Sequence, residues 1–189
     1  MFEDLGHTTP EVDHQILRSL ASMVGGTRTS ESAGRSITLA VEVGSWVGST
    51  ALTLSPYFDR LFCIDTFKGN PGSHLETIAN EANAEMDGVF RVFCHNTKAR
   101  LFNPIYPCVG KSLEWAHVWP FPVDLIFIDA DHDYEPVMAD IKAWRPHCQG
   151  VLCGHDYIPG LFPGVVQAVH DSFRDEDIRV EGNMWWVKM

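Results

Sequence analysis

Short apolar runs that close on glycine or an acid alternate along this chain with segments of helical period. The first run, Ile37, Leu39, Val41 and Val43 with Glu42 among them, leads into Gly44-Ser45-Trp46-Val47-Gly48-Ser49. A short helix-compatible stretch to Leu54 follows, then Leu61-Phe62-Cys63-Ile64 closing on Asp65. Strand, tight turn, helix and a second strand with an acid at its carboxyl end compose one half of a nucleotide-binding crevice. Ile105 to Val109, interrupted by Pro107, reads as a third strand. Val123 to Ile128 is apolar enough to be a central strand covered on both faces, and Gly150 to Gly154 reads as another buried strand. Asp129 directly follows the first of these, and His155-Asp156 the second.

Between the strands the period changes to that of a helix. Thr9-Pro10-Glu11 predicts a helix start capped by Thr9, with Val12, Ile16, Leu17, Leu20 and Met23 inward and Gly25-Gly26 as the stop. His7 and His14 are expected to face solvent. A helix is predicted over 75–84 and another from Glu85 or later through Leu101, carrying Phe90, Phe93, Thr97 and Leu101 inward with His95-Asn96 beside them. Leu113 to Val118, Tyr134 to Trp144 and the Val165, Val166, Val169, Phe173 stripe supply further helices. Ile178 to Val180 and Met184 to Val187 read as edge strands, whose Trp185 and Trp186 could cover the sheet or contribute a dimer surface.

The glycine spacing narrows the ligand. A dinucleotide fingerprint places glycine at its first, third and sixth positions, so that backbone can approach a pyrophosphate. Counted from Gly44, those later positions are Trp46 and Ser49, which suits a nucleoside without pyrophosphate. Asp65 suits a ribose diol, because one carboxylate can accept from both hydroxyls. Glu42 can accept amides of the turn or sit near a cationic ligand. Asp129 and Asp156 converge if their strands are adjacent, and two hard carboxylates there can hold Mg²⁺. The bland alternative is a pair of loop acids capping helices.

Composition removes some classes. The 189 residues carry a formal net charge of −11, which opposes a broad nucleic-acid interface or recruitment to anionic lipid. Five scattered cysteines without a CxxC pair read as core residues in a reducing compartment. No apolar run approaches the roughly 20 residues that cross a bilayer. The Met1-Phe2-Glu3-Asp4 start lacks the basic region of a secretion signal, so a cytoplasmic location is expected.

Val41 to Ser49, Ile64-Asp65 and Asp129-Ala130-Asp131-His132-Asp133-Tyr134 together resemble the class I S-adenosylmethionine-dependent methyltransferases. Within them the chain looks like the metal-dependent small-molecule O-methyltransferases of the catechol and macrolide-sugar type, over roughly Val41 to Tyr157. The resemblance implies an α/β Rossmann-like sandwich: a mostly parallel sheet, helices on both faces and a C-terminal antiparallel strand pair. It implies one domain over 1–189, with 1–34 a helical N-terminal extension. S-Adenosylmethionine would meet Glu42, Gly44, Ser45 and Trp46 with its methionine part, Asp65 with its ribose and Ser112 with its adenine, and Asp129 would lie beside it. Mg²⁺ or another divalent cation would sit on Asp129 and Asp156. His132, three positions after the first acid, matches a catalytic lysine or histidine. Catechol-type enzymes place asparagine after the second acid where this chain has Tyr157, so His155 or Asp131 is left as third ligand. The expected acceptor is a small-molecule hydroxyl, and histidine at 132 makes a sugar more attractive than a catechol. A metal-independent methyltransferase, a nucleotide-sugar or nicotinamide enzyme, and a noncatalytic nucleoside-binding or assembly protein are the competing readings.

Overall fold

A computed structural model describes residues 9–25, 37–69, 77, 80, 88–98 and 105–189. Seven strands among them form one sheet: β1 (Leu39–Val43), β2 (Arg60–Asp65), β3 (Ile105–Val109), β4 (Val123–Ile128), β5 (Cys148–Gly154), β6 (Arg179–Glu181) and β7 (Met184–Lys188). Their order is β3-β2-β1-β4-β5-β7-β6, parallel from β3 to β5, with β7 antiparallel to β5 and β6 antiparallel to β7. The chain winds outward from β1 in one direction and from β4 in the other. Their carboxyl ends therefore flank a topological switch point, where crossovers diverge and leave a crevice.

The period-two alternation of the central strands loads both faces of the sheet. Ala40, Leu61, Cys63, Leu125, Phe127 and Val151 share one core with Leu17 and Leu20 of α1 (Glu11–Val24), α2 (Ser49–Leu54) and α3 (Val89–Thr97). Val41, Val43, Ile64, Ile126 and Leu152 share the other with α4 (Ser112–Val118), α5 (Tyr134–Trp144) and α6 (Pro163–Ser172). Each fully buried Leu, Val or Ile side chain contributes on the order of 1.5–3 kcal/mol relative to exposure. All five cysteines are free, and burial pushes the Cys108 and Cys148 thiols up to about 11, which keeps them unreactive at neutral pH.

Several boundaries and faces differ from the sequence-based expectation. Thr9 does not cap α1; Pro10 occupies the cap position, and no side chain bonds the free amides there. The buried face of α1 is also turned. Val12 and Met23 are 51% and 54% exposed, whereas Asp13 and His14 are 0% and 7% exposed. The cause is polar partners on the neighbouring elements: His14 meets the Thr53 and Ser49 hydroxyls, and Asp13 meets Asn183. β5 begins at Cys148 and β6 at Arg179. Trp185 is buried beneath the sheet's helices, 6.1 Å from the Phe173 ring, so it covers the sheet; Trp186 packs partly buried against the opposite core. The helix expected over 75–84 lies outside the described residues except for the helical Thr77 and Asn80, as does Leu101. No described helix is long and apolar enough to cross a membrane.

One core-facing acid stands apart from the crevice. Asp140 on α5 is buried, and that burial lifts its carboxyl to about 6, with a bond from Ser112 only partly opposing it. Its folded pKa lies above the ordinary 3.8, so the folded chain holds a proton that the unfolded chain releases. Stability should therefore decline as pH rises from about 4 to about 6 and stay lowered above that. Asp140→Asn is expected to gain about 2 to 3 kcal/mol at pH 7.5 and little at pH 4, since each tenfold change in proton affinity is worth about 1.4 kcal/mol. Thermal unfolding at the two pH values checks this; an equal gain at both would refute it.

Candidate active site

The crevice is held shut at its base by backbone. Gly44 has φ +89°, and a Cβ there would lie 2.1 Å from the Asp129 carbonyl oxygen. Its N–H donates to Ile64 O at 2.9 Å, while Asp129 N–H donates to Val43 O at 2.8 Å. The turn after β1 is thus fastened to the ends of both neighbouring strands. Farther along, Asn96 of α3 donates to the Val47 carbonyl at 2.8 Å and steadies the turn's outer limb.

Asp65 is positioned by two residues in unusual conformations. Trp46 (φ +43°) donates its N–H to Oδ2 at 2.8 Å, and Phe67 (φ +56°) donates to Oδ1 at 2.6 Å. The amides of Ser45 and Thr66 also reach this carboxylate. Burial raises the Asp65 pKa, and the amides of Phe67 and Trp46 oppose that rise. Asp65 lines a cleft of about 130 Å³ together with Trp46, Gly110 and Ser112. The Ser112 hydroxyl accepts the Trp144 indole N–H at 2.7 Å, which fixes it on the cleft wall.

Glu42 points through the sheet toward α2. It accepts the Thr50 hydroxyl on Oε1, in place of the turn amides expected from sequence. Its Oε2 and the nearby Ser45 hydroxyl are buried and make no hydrogen bond among the described residues. Burial raises the Glu42 pKa.

Beyond the turn, adjacent strand ends assemble the acidic cluster. Ile128 and Gly154 are paired in register, and His155 N–H donates to Ile128 O at 3.2 Å. This brings one ligand atom each from Asp129, His155 and Asp156 within 4.8 Å of one another. Asp156 adopts φ +60°, with Oδ2 2.8 Å from His132 Nε2 and Oδ1 3.1 Å from His155 Nδ1. His155 Nδ1 is also 3.8 Å from Asp129 Oδ1. Asp131, the other third-ligand candidate, is occupied by its own turn: Oδ1 accepts the N–H groups of His132 and Asp133. The His132 ring stacks on Phe162 with centroids 4.2 Å apart. Asp129, His132, His155, Asp156 and Phe162, with Trp46, line a cavity of about 300 Å³ that adjoins the Asp65 cleft.

The cluster's protonation follows from burial and mutual charge. Burial lifts the Asp129 carboxyl to about 7; His155 opposes the rise and Asp156 adds to it. Burial alone would lower His155, but the Asp156 hydrogen bond and the Asp129 and Asp156 charges override it and raise the imidazole to about 9. Asp156 is also pushed up by burial, yet the bonds from His132 and His155 hold it well below the usual carboxylate range. The bond to Asp156 raises His132, against burial.

Asp13, Thr50, Asn183 and Phe162 escaped the sequence reading. An acid in the first turn of a helix ordinarily reads as solvated, and Asp13 meets His155 across 142 residues. No local signal marks such a pair.

The strand order, the glycine turn and the acid after β2 define a class I S-adenosylmethionine-dependent methyltransferase fold. A family model described as a methyltransferase domain matches residues 41–157, and the chain belongs to that family of methyl-transferring enzymes. Among solved structures it is similar to the O-methyltransferase NovP, with a TM-score of 0.68 and 16% identity over 93% of this chain and 78% of that one. The apo TDP-rhamnose 3′-O-methyltransferase CalS11, of calicheamicin biosynthesis, gives 0.60 and 17% over 94% and 79%. The N-methyltransferase NodS from Bradyrhizobium japonicum WM9 gives 0.57 and 15% over 94% and 93%.

The residues present fit the methyl donor. Asp65 lines the cleft beside Trp46 and the glycine turn, where a carboxylate can accept from a diol's hydroxyls. Asp65→Ala is expected to weaken S-adenosylmethionine binding by about tenfold or more, since a hydrogen bond to a charged group contributes about 1.5–3 kcal/mol. Calorimetric titration measures it; unchanged affinity in a folded variant would remove Asp65 from the site.

Proposed function

We propose that this enzyme is an O-methyltransferase acting on a hydroxyl of a small molecule, a sugar or secondary metabolite, with a divalent cation orienting the acceptor. The convergence of Asp129, His155 and Asp156 on the cavity wall, with His132 beside them, carries the reading. Asp129, Asp156 and His155 would hold the cation, and Glu42, Gly44, Ser45, Trp46, Asp65 and Ser112 the donor. That CalS11 is a TDP-rhamnose 3′-O-methyltransferase supports a sugar-like acceptor, and the apolar wall of Ile158, Leu161 and Phe162 suits a ring's flat face.

S-Adenosylmethionine supplies an electrophilic methyl group. A bound Mg²⁺ or similar cation would orient vicinal oxygens and lower the pKa of the hydroxyl it holds. The protein's part is alignment and proton removal. Phe162 holds the His132 ring flat at the cavity edge. His132 Nε2 now faces Asp156 Oδ2, an oxygen that serves either as its partner or as a ligand. With Asp156 engaged as a ligand, Nε2 would be left to accept the acceptor's proton, a role suited to imidazole near neutral pH. No covalent enzyme intermediate is needed.

The contacts of both histidines with Asp156 favour one second reading, a metal-independent methyltransferase. There the imidazoles balance the acids, and Asp129 and Asp156 orient the acceptor directly. Dialysis against a chelator separates the two. Turnover is expected to vanish and to return on adding Mg²⁺ or Mn²⁺; full turnover after dialysis would leave the metal-independent reading. His132→Ala is expected to lower kcat about 10²- to 10⁴-fold with donor affinity unchanged. Wild-type turnover across pH would reject His132 as the base.

A further inference from the structure

His155 has two faces with different neighbours. On the cavity side, Nδ1 lies 3.1 Å from Asp156 Oδ1 and 3.8 Å from Asp129 Oδ1. On the buried side, Nε2 lies 3.1 Å from Oδ2 of Asp13, a residue with no exposed surface. Asp13 also accepts the Asn183 main-chain N–H on Oδ1 and the Asn183 amide on Oδ2, each at 3.0 Å. The turn between β6 and β7 is shaped to admit this carboxylate. Gly182 there has φ +58°, and a Cβ on it would lie 2.3 Å from Asp13 Oδ1.

A carboxylate only accepts, so as a carboxylate Asp13 takes its bonds from Asn183 and from His155 alike. The proton between them therefore sits on His155 Nε2. A ring with its proton held on Nε2 turns its other nitrogen, Nδ1, to the cavity as a lone-pair donor. Ligand atoms on adjacent corners of an octahedron with bonds of about 2.1 Å lie about 3 Å apart. Nδ1 already stands near that spacing from Asp156 Oδ1, at 3.1 Å, and 3.8 Å from Asp129 Oδ1.

We propose that Asp13 is a positioning residue that fixes His155 as a nitrogen ligand through Nδ1, tilting the site from Mg²⁺ toward later first-row divalent cations. Imidazole nitrogen suits those ions better than Mg²⁺, which takes oxygen donors. A carboxylate behind a ligating histidine fixes its tautomer and orientation, and losing it typically costs about 10- to 100-fold in metal affinity. The proposal rests on the metal-dependent reading above.

The test uses the whole chain with Mn²⁺, Co²⁺ or Mg²⁺ alone. Pulsed electron paramagnetic resonance of the Mn²⁺-loaded wild type is expected to show coupling to a histidine nitrogen. In Asp13→Asn, the introduced amide nitrogen donates to Nε2 and drives the ring proton onto Nδ1. That variant should lose the coupling, and its calorimetric Co²⁺-over-Mg²⁺ affinity ratio should fall about tenfold or more. Asn183→Ala, which removes the other Asp13 partner, should keep both the coupling and the ratio; a merely structural Asp13 predicts that the two variants behave alike. Because Asp13 also holds the hairpin turn, His155→Gln is a second variant, expected to lose the nitrogen signal with Asp13 and Asn183 still paired. Coupling that survives in Asp13→Asn or His155→Gln overturns the assignment. A wild type that binds Mn²⁺ without nitrogen coupling overturns it too and leaves the metal reading intact. A wild type that binds none of the three ions overturns both.

Discussion

The close approach of Gly44 to the Asp129 carbonyl is the constraint on which the site depends. It is a backbone contact, 2.1 Å from where any Cβ would stand, at the point where the sheet's winding reverses. Any side chain at position 44 would push the turn away from β4, and the two cavities that meet at Gly44 would lose their shared wall. With the turn seated there, Trp46 reaches Asp65 on one side and Asp129 faces His155 on the other. The Asp65 cleft and the acid-histidine cluster are therefore set by the same turn.

The second constraint is electrostatic. Acids at the strand ends are removed from water, and an isolated buried carboxylate costs several kcal/mol. The fold meets this cost in two ways. Asp65 takes main-chain amides from residues held at positive φ, a conformation that costs about 1–3 kcal/mol apiece. Asp13 and Asp156 are met by the side chains of His155, Asn183 and His132. Glu42 is met only halfway, since Oε2 keeps no partner among the described residues.

The sheet, the turn and the strand-end acids were legible because they are local. Apolar runs mark the strands, a glycine turn closes the first, and acids stand at the carboxyl ends of β2, β4 and β5. The meeting of Asp129 and Asp156 was conditional on β4 and β5 being neighbours, and the sheet pairs them. What failed to show was the face of α1. Its apolar residues suggested an inward stripe through Val12 and Met23, yet burial follows Asp13 and His14. Hydrophobic period reports which face could enter a core, and it cannot register that polar groups elsewhere satisfy a buried acid. The departure falls where a local rule is most often broken, beside the reacting groups.

That departure bears on how the enzyme comes together. The cluster draws on the first described helix, the ends of two central strands and the last hairpin, through bonds spanning 142 and 170 residues. Contacts of such separation form only after the intervening chain has been closed into loops. The parallel core from β1 to β5 can take shape without them, whereas the His155 orientation requires both α1 and the hairpin turn. A change that loosens either element should therefore reach the acid-histidine cluster before it reaches the Asp65 carboxylate, whose donors Trp46 and Phe67 lie within 19 residues of it in the chain. The cleft at Asp65 and the cluster at Asp129 share a turn, but they draw their rigidity from different parts of the protein.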